Sequence, residues 1–96
     1  MAMTPAIVQD IIIDDSLQLT KTVNSNESKK FSFSAGNVFP GYMPKGVCGC
    51  KLLNSTKAVQ ADVNVNTTGS VDVYVINLHT ASESITCVPN IIYQKV

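Results

Sequence analysis

The chain has no tryptophan and no arginine, a single histidine, and six aromatic side chains (three Tyr, three Phe) in 96 residues. Each shortage excludes something. Without arginine there is no planar, bidentate grip on guanine or phosphate. All seven basic residues are lysines, balanced by seven carboxylates to a formal net charge of zero, and the densest basic point is only the pair Lys29-Lys30. Sequence-independent nucleic-acid binding needs several cations facing phosphates, so nucleic acid is not an expected partner. No apolar run approaches the roughly 20 residues of a membrane helix, and no membrane insertion is expected. The opening MAMTPAIVQDIIIDD lacks a basic segment and a long apolar stretch, so it does not read as a secretory signal. The cysteines, Cys48, Cys50 and Cys87, are odd in number, which argues against a secreted disulfide framework. A reducing cytosol, or a particle assembled there, is the expected setting. The triplets Asn-x-Ser/Thr at Asn26, Asn54 and Asn66 then read as turn composition rather than glycan sites.

What the chain does have is Val, Ile and Thr in alternating runs separated by Asn, Ser and Gly. That is strand-and-turn chemistry, because β-branched side chains suit a pleated surface and Asn/Ser/Gly suit turns. The length allows one domain, which at this size buries about 60–65 % of its unfolded surface. Residues 1–16 read as an N-terminal arm or first strand, and 17–96 as a single domain. In the arm, Ile7, Val8, Ile11 and Ile12 have helical spacing but strand-type side chains; the preferred reading is a strand over Val8–Ile13 and a turn at Asp14-Asp15-Ser16. Leu17, Leu19, Lys21 and Val23 alternate with polar residues, as do Phe31 and Phe33. Phe39–Gly46 holds two prolines and two glycines in eight residues, which excludes a helix interior and reads as a bend feeding a strand at Val47–Leu53. Val59, Ala61, Val63 and Val65 alternate; Asn66–Ser70 reads as a hairpin loop; Val71, Val73 and Val75 alternate again. Ile76 and Leu78 fall on the other parity, which predicts a bulge or a change of burial near Val75-Ile76. Ile85–Gln94 is the last strand, and Pro89 inside it marks an edge or a bulge. The expected fold is all-β: a small β-sandwich or jelly roll of about seven to eight antiparallel strands.

Few residues invite chemistry. Cys48-Gly49-Cys50 has C-x-C rather than the C-x₂₋₄-C spacing of zinc sites, although Cys87 and His79 would complete a Cys₃His set. Redox pairs usually stand as C-x-x-C at a helix start. All three cysteines therefore read first as small buried apolar residues. His79 lies in a predicted turn beside Thr80 and Glu83, with no nucleophile–base pattern around it. Asp14-Asp15 would point to opposite strand faces, poorly placed to share a proton. Asp10, Asp62 and Asp72 fall on solvent-facing parities, outside any calcium-loop pattern. No catalytic, metal or cofactor site is expected, and the protein does not read as an enzyme. Tyr42 and Tyr93 read as core or interface filler.

Three segments, GYMPKGVCGC, AVQADVNVNTTGSVDVYVINL and ITCVPNIIYQKV, together resemble the C-terminal head-type domains of bacteriophage tail-fibre, baseplate and head-fibre proteins. The lead-in Gly-Tyr-x-Pro-x-Gly-x-x-Gly falls on Gly41, Tyr42, Pro44, Gly46 and Gly49; the asparagine closing the valine strand is Asn77; the terminal Tyr-plus-base is Tyr93 with Lys95. The similarity covers residues 30–96, and it departs at Lys45, where the pattern is apolar, and at the Cys48/Cys50 pair. It implies a homotrimer, a virion structural or adhesion role with other virion proteins as partners, and host-surface glycan as a further partner, in a particle assembled in the host cytoplasm. Near-zero charge and the need to cover sheet edges are consistent with self-association. Binding, on this view, would sit in the polar turns at 24–28, 54–57, 66–70 and 79–84, with candidates Asn24, Asn26, Asn54, Thr67, His79 and Ser82. The alternative expectation is a small phage-encoded intracellular binding protein that sequesters a ligand or blocks a host defence protein.

Overall fold

The computed structural model describes residues 7, 8 and 10–96, and the beginning of the expected arm lies outside them. Among the described residues the alternating runs become eight strands and no helix: β1 (Ile7–Val8), β2 (Ile11–Asp14), β3 (Leu19–Val23), β4 (Ser28–Ser34), β5 (Tyr42–Leu53), β6 (Ala58–Val65), β7 (Ser70–Asn77) and β8 (Glu83–Lys95). All pairings are antiparallel. They make two sheets, β4-β7-β6 and a larger one built around β8. The expected all-β class holds, and the arrangement is sandwich-like, with one apolar cluster drawn from both sheets.

The larger sheet is organised by one long strand. The first part of β8 pairs with β3, from Leu19↔Cys87 to Val23↔Glu83. Its last part pairs with β2, from Ile11↔Gln94 to Asp14↔Ile91. β5 runs along the other edge, from Tyr42↔Lys95 to Leu53↔Thr86. β2 and β3 therefore lie end to end beside β8. Pro89 occupies the junction: β3 has stopped pairing at Cys87, and β2 has not begun before Ile91. Opposite it, β5 slips register between Val47 and Cys50, where Gly49 takes φ +121°. The proline thus sits in a central strand at a place where its missing N–H is tolerated; the bulge is in its partner.

Alternation places the core. Phe31 and Phe33 of β4, Val71, Val73 and Val75 of β7, and Ile85, Cys87, Ile91 and Tyr93 of β8 are all buried. Three expectations need correction. The strand expected over Val8–Ile13 is broken by a turn at Asp10, giving a hairpin with Ile7↔Ile12 and Val8↔Ile11; Asp14 is still strand, and its carboxylate then accepts the Ser16 N–H at 3.0 Å. The Gly/Pro-rich lead-in is not a bend before the strand: Tyr42 to Gly46 already belong to β5, with a second register shift between Pro44 and Gly46 absorbing the proline. The parity break lies in β6 rather than β7. β6 slips between Gln60 and Asp62, so Val59 is 44 % exposed while Val63 and Val65 pack on the core. β7 keeps its register, and the residue continuing its buried face is Asn77. The sequence pattern could not show this, because an asparagine at a core parity looks like a strand end.

At the end of the molecule carrying the β4–β5 and β6–β7 loops, Gly36 and Gly69 touch. A Cβ on Gly69 would stand 2.8 Å from Gly36 Cα, and Gly69 has φ +96°. The Ala35 N–H donates to Gly69 O at 3.1 Å across the same contact. A side chain at Gly69 would both strain the backbone and separate the loops.

Tyr93 is the largest fully buried side chain, stacked edge-on against Phe39 at 5.0 Å between centroids. Its hydroxyl has no hydrogen-bond partner among the described residues, and burial, with the nearby Asp14 charge, pushes the phenol up to about 12. A buried hydroxyl without a partner costs stability. Tyr93→Phe should therefore raise unfolding free energy by about 1 kcal/mol in urea titration; destabilisation instead would mean that the hydroxyl is satisfied.

Candidate functional site

Five of the six candidate residues come together at one end. Of the three turns there, β3–β4 carries Asn24 and Asn26, β5–β6 carries Asn54, and β7–β8 carries His79 and Ser82; β3 and β7 end on the buried residues Val23 and Asn77, whereas β5 ends on exposed Leu53. Thr67 is not with them. It lies on the β6–β7 loop, at the other end of β6.

Asn77 ties two of the three turns, β3–β4 and β7–β8. Its side chain is fully buried. Nδ2 donates to Val23 O and Ala81 O, both at 3.0 Å, and Oδ1 accepts the His79 N–H at 2.9 Å. One amide thus links the end of β3 to the whole β7–β8 loop, satisfying backbone groups that would otherwise be orphaned. Around it, Ser25 Oγ donates to His79 O at 2.7 Å, Ser82 Oγ to Asn24 Oδ1 at 3.0 Å, and the Leu78 N–H to Lys57 O at 3.0 Å. The Thr56 N–H and hydroxyl donate to the two oxygens of Glu83 at 2.9 and 2.6 Å, holding that carboxyl below its ordinary range. Asn26 and Asn54 both have φ +60°, a left-handed conformation that asparagine tolerates better than most side chains.

The groups around His79 are engaged with other partners. His79 Nδ1 accepts the Ala81 N–H at 3.2 Å, Ser82 Oγ is committed to Asn24, and Glu83 to Thr56. No nucleophile–base–acid relay connects them. Its chemistry is that of an ordered polar surface, amides and hydroxyls on stiff turns.

The opposite end carries two adjoining open depressions that share Met43. One, about 450 Å³, lies among Ser34, Asn37, Thr68 and Ser70; the other, about 440 Å³, lies among Lys45, Val65, Asn66 and Thr67. Beside them Asp72 stands on the outer parity of β7 but is only 7 % exposed, a correction to its expected solvent-facing place. Neighbours from both flanking strands cover it. Ser32 Oγ donates to Oδ1 at 2.5 Å, and Asn66 Nδ2 to Oδ2 at 3.2 Å. Asn66 Nδ2 also reaches Ser70 Oγ at 2.7 Å, and its Oδ1 accepts from Asn64 Nδ2 at 2.9 Å. The Ser32 and Asn66 donors, with the Lys30 charge adding less, hold the Asp72 carboxyl below the usual carboxylate range. Asp10 and Asp62 are exposed.

The cysteines do not act as a C-x-C unit. The bulge at Gly49 separates them: exposed Cys48 donates to Asn90 O at 3.7 Å, while half-buried Cys50 meets Cys87 at 3.6 Å between sulfurs. Among the described residues no three His, Cys, Asp or Glu side chains cluster as metal ligands. Sequence reasoning missed Asn77 and Asp72 as structural polar centres. The only signal for Asn77 was an asparagine continuing a buried parity; that Asp72 is flanked by Ser32 and Asn64 on the adjacent strands β4 and β6 emerges only from the pairing.

Two outcomes follow. Asn77→Ala strands the buried Val23 carbonyl, the part-buried Ala81 carbonyl and the His79 N–H, and should cost about 2–3 kcal/mol in chemical denaturation, with faster amide exchange across residues 78–82. Asp72 has a lowered folded-state pKa, so its contribution is fully present above the unfolded value near 3.9 and is lost as pH falls through the folded one. Asp72→Asn should therefore flatten the acid limb of the stability–pH curve below about pH 4; an unchanged limb would contradict that assignment. No protein-family model, curated protein or solved structure matches the chain.

Proposed function

We propose that this chain is a bacteriophage virion structural or adhesion protein, a tail, baseplate or head-fibre component that works by oligomeric display, as a jelly-roll-type homotrimer. The observation that carries the proposal is the register between the two resembling motifs. They lie some fifty residues apart in the chain, yet Tyr42 pairs with Lys95 and Pro44 with Tyr93. The lead-in and the terminal Tyr-plus-base thus act as one structural unit. Self-association has a surface to use. Ile11 and Ile13 are 40 % and 43 % exposed, and Ile13 stands directly opposite Ile92 on the same sheet face. A contiguous exposed apolar patch of this kind favours burial against another surface. On this reading the ordered polar turns with Asn24, Asn26, Asn54, His79 and Ser82 are the surface presented to a host glycan, because stiff amide and hydroxyl groups suit sugar hydroxyls.

A second reading, a small intracellular protein that sequesters a ligand, draws support from the paired depressions at Met43. The two readings separate in ligand content. A small molecule retained in native mass spectra and raising the melting temperature would favour the second.

Analytical ultracentrifugation at micromolar concentration should return three times the chain mass, and Ile13→Asp should shift it to one. A monomeric wild-type chain, absent from purified particles, would sink the virion reading.

A further inference from the structure

We propose that Cys50 and Cys87 form a redox modification site, a cross-strand dithiol that a soluble low-molecular-weight disulfide converts to a disulfide bond pinning β5 to β8. The sulfurs are already in contact at 3.6 Å. In the ladder Leu52 faces Cys87 and Cys50 faces Pro89, so the two cysteines are diagonal neighbours on one sheet face. Diagonal Cα atoms in a regular pair lie about 7–8 Å apart, wider than a relaxed disulfide spans. Here the ladder is not regular. The register shift between Val47 and Cys50, with Gly49 at φ +121°, adds slack immediately before Cys50. Pro89 contributes no N–H to hold that part of β5 in place.

The two thiols differ in the way a capture-and-resolve pair requires. Cys50 is half-buried and within reach of a small oxidant; Cys87 is fully buried. The S–H···S contact between them lowers the Cys50 thiol pKa and, together with burial, raises that of Cys87. The Cys50 thiolate attacks one sulfur of the small disulfide RSSR, forming a mixed disulfide and expelling RS⁻. Cys87 then gives up its proton and attacks Cys50 Sγ, expelling the second RS⁻. The balance is two protein thiols plus RSSR going to one protein disulfide plus two RSH: the protein is oxidised by two electrons and the small disulfide reduced by two. Such a bond stays open in a reducing cytosol and closes outside it. The bridge joins β5 to β8 beside the Pro89 junction and removes chain freedom between Cys50 and Cys87 in the unfolded state. The inference does not depend on the virion reading.

Full-length wild-type protein and Cys48→Ser would be equilibrated, folded, with oxidised and reduced glutathione, then alkylated, digested and mapped by mass spectrometry. Both proteins should yield a Cys50–Cys87 linked peptide with Cys48 outside it, reversed by excess reduced glutathione. The preference should vanish in denaturing urea. The oxidised form should melt higher than the reduced form by on the order of 10 °C, and Cys50→Ser, which leaves the buried Cys87 in the core, should lose that redox-dependent difference. Cys50 and Cys87 both alkylated under oxidising conditions would overturn the proposal. So would a dominant bridge through Cys48, or an oxidised form that melts no higher than the reduced one.

Discussion

The pairing of β8 with three other strands is the constraint on which the rest depends. One thirteen-residue strand supplies the inner wall with Ile85, Cys87, Ile91 and Tyr93, and it fixes the register of β2, β3 and β5 at once. Because side chains alternate strictly, a one-residue slip along β8 would turn all four outward. Loss of that register would empty the larger sheet's contribution to the core, whatever the β4-β7-β6 sheet did.

Within that frame the polar groups divide into two kinds. Asn77 and Asp72 are enclosed and hydrogen-bonded, the first to backbone atoms of the β3 end and the β7–β8 loop, the second to Ser32 of β4 and Asn66 of the β6–β7 loop. They set loop and strand positions. The turn residues around Asn77 are more exposed, yet many are already engaged with one another. The result is a surface whose groups are held in place by one another.

Much of the architecture was legible in the sequence because period-two alternation is a direct image of a half-buried strand. Phe31 with Phe33, and Val71, Val73 and Val75, could be assigned to one face from spacing alone. The failures have a common cause, namely that irregularity in one strand is set by its partner. The parity change near Val75 was visible, but only the pairing assigns it to β6, where Gln60 and Asp62 flank the slip. Pro89 signalled a break in the ladder, but not that the break falls between two strands laid end to end. The prolines and glycines of the lead-in argued correctly against helix and wrongly against strand, because two register shifts let β5 carry them. Of the candidate site, the turns were readable from Asn, Ser and Thr content. Their convergence was not, because two of them are joined through Asn77, whose buried amide no local pattern announces.

The end-to-end seating of β2 and β3 along β8 has a mechanical meaning. The ladder from Ile11 to Asp14 and the ladder from Leu19 to Val23 share a partner but no hydrogen bonds across the gap at Pro89. The amino-terminal hairpin is therefore fastened to its half of β8 independently of the half held by β3, and Ile12, buried in the common core, is what ties it to the rest of the molecule.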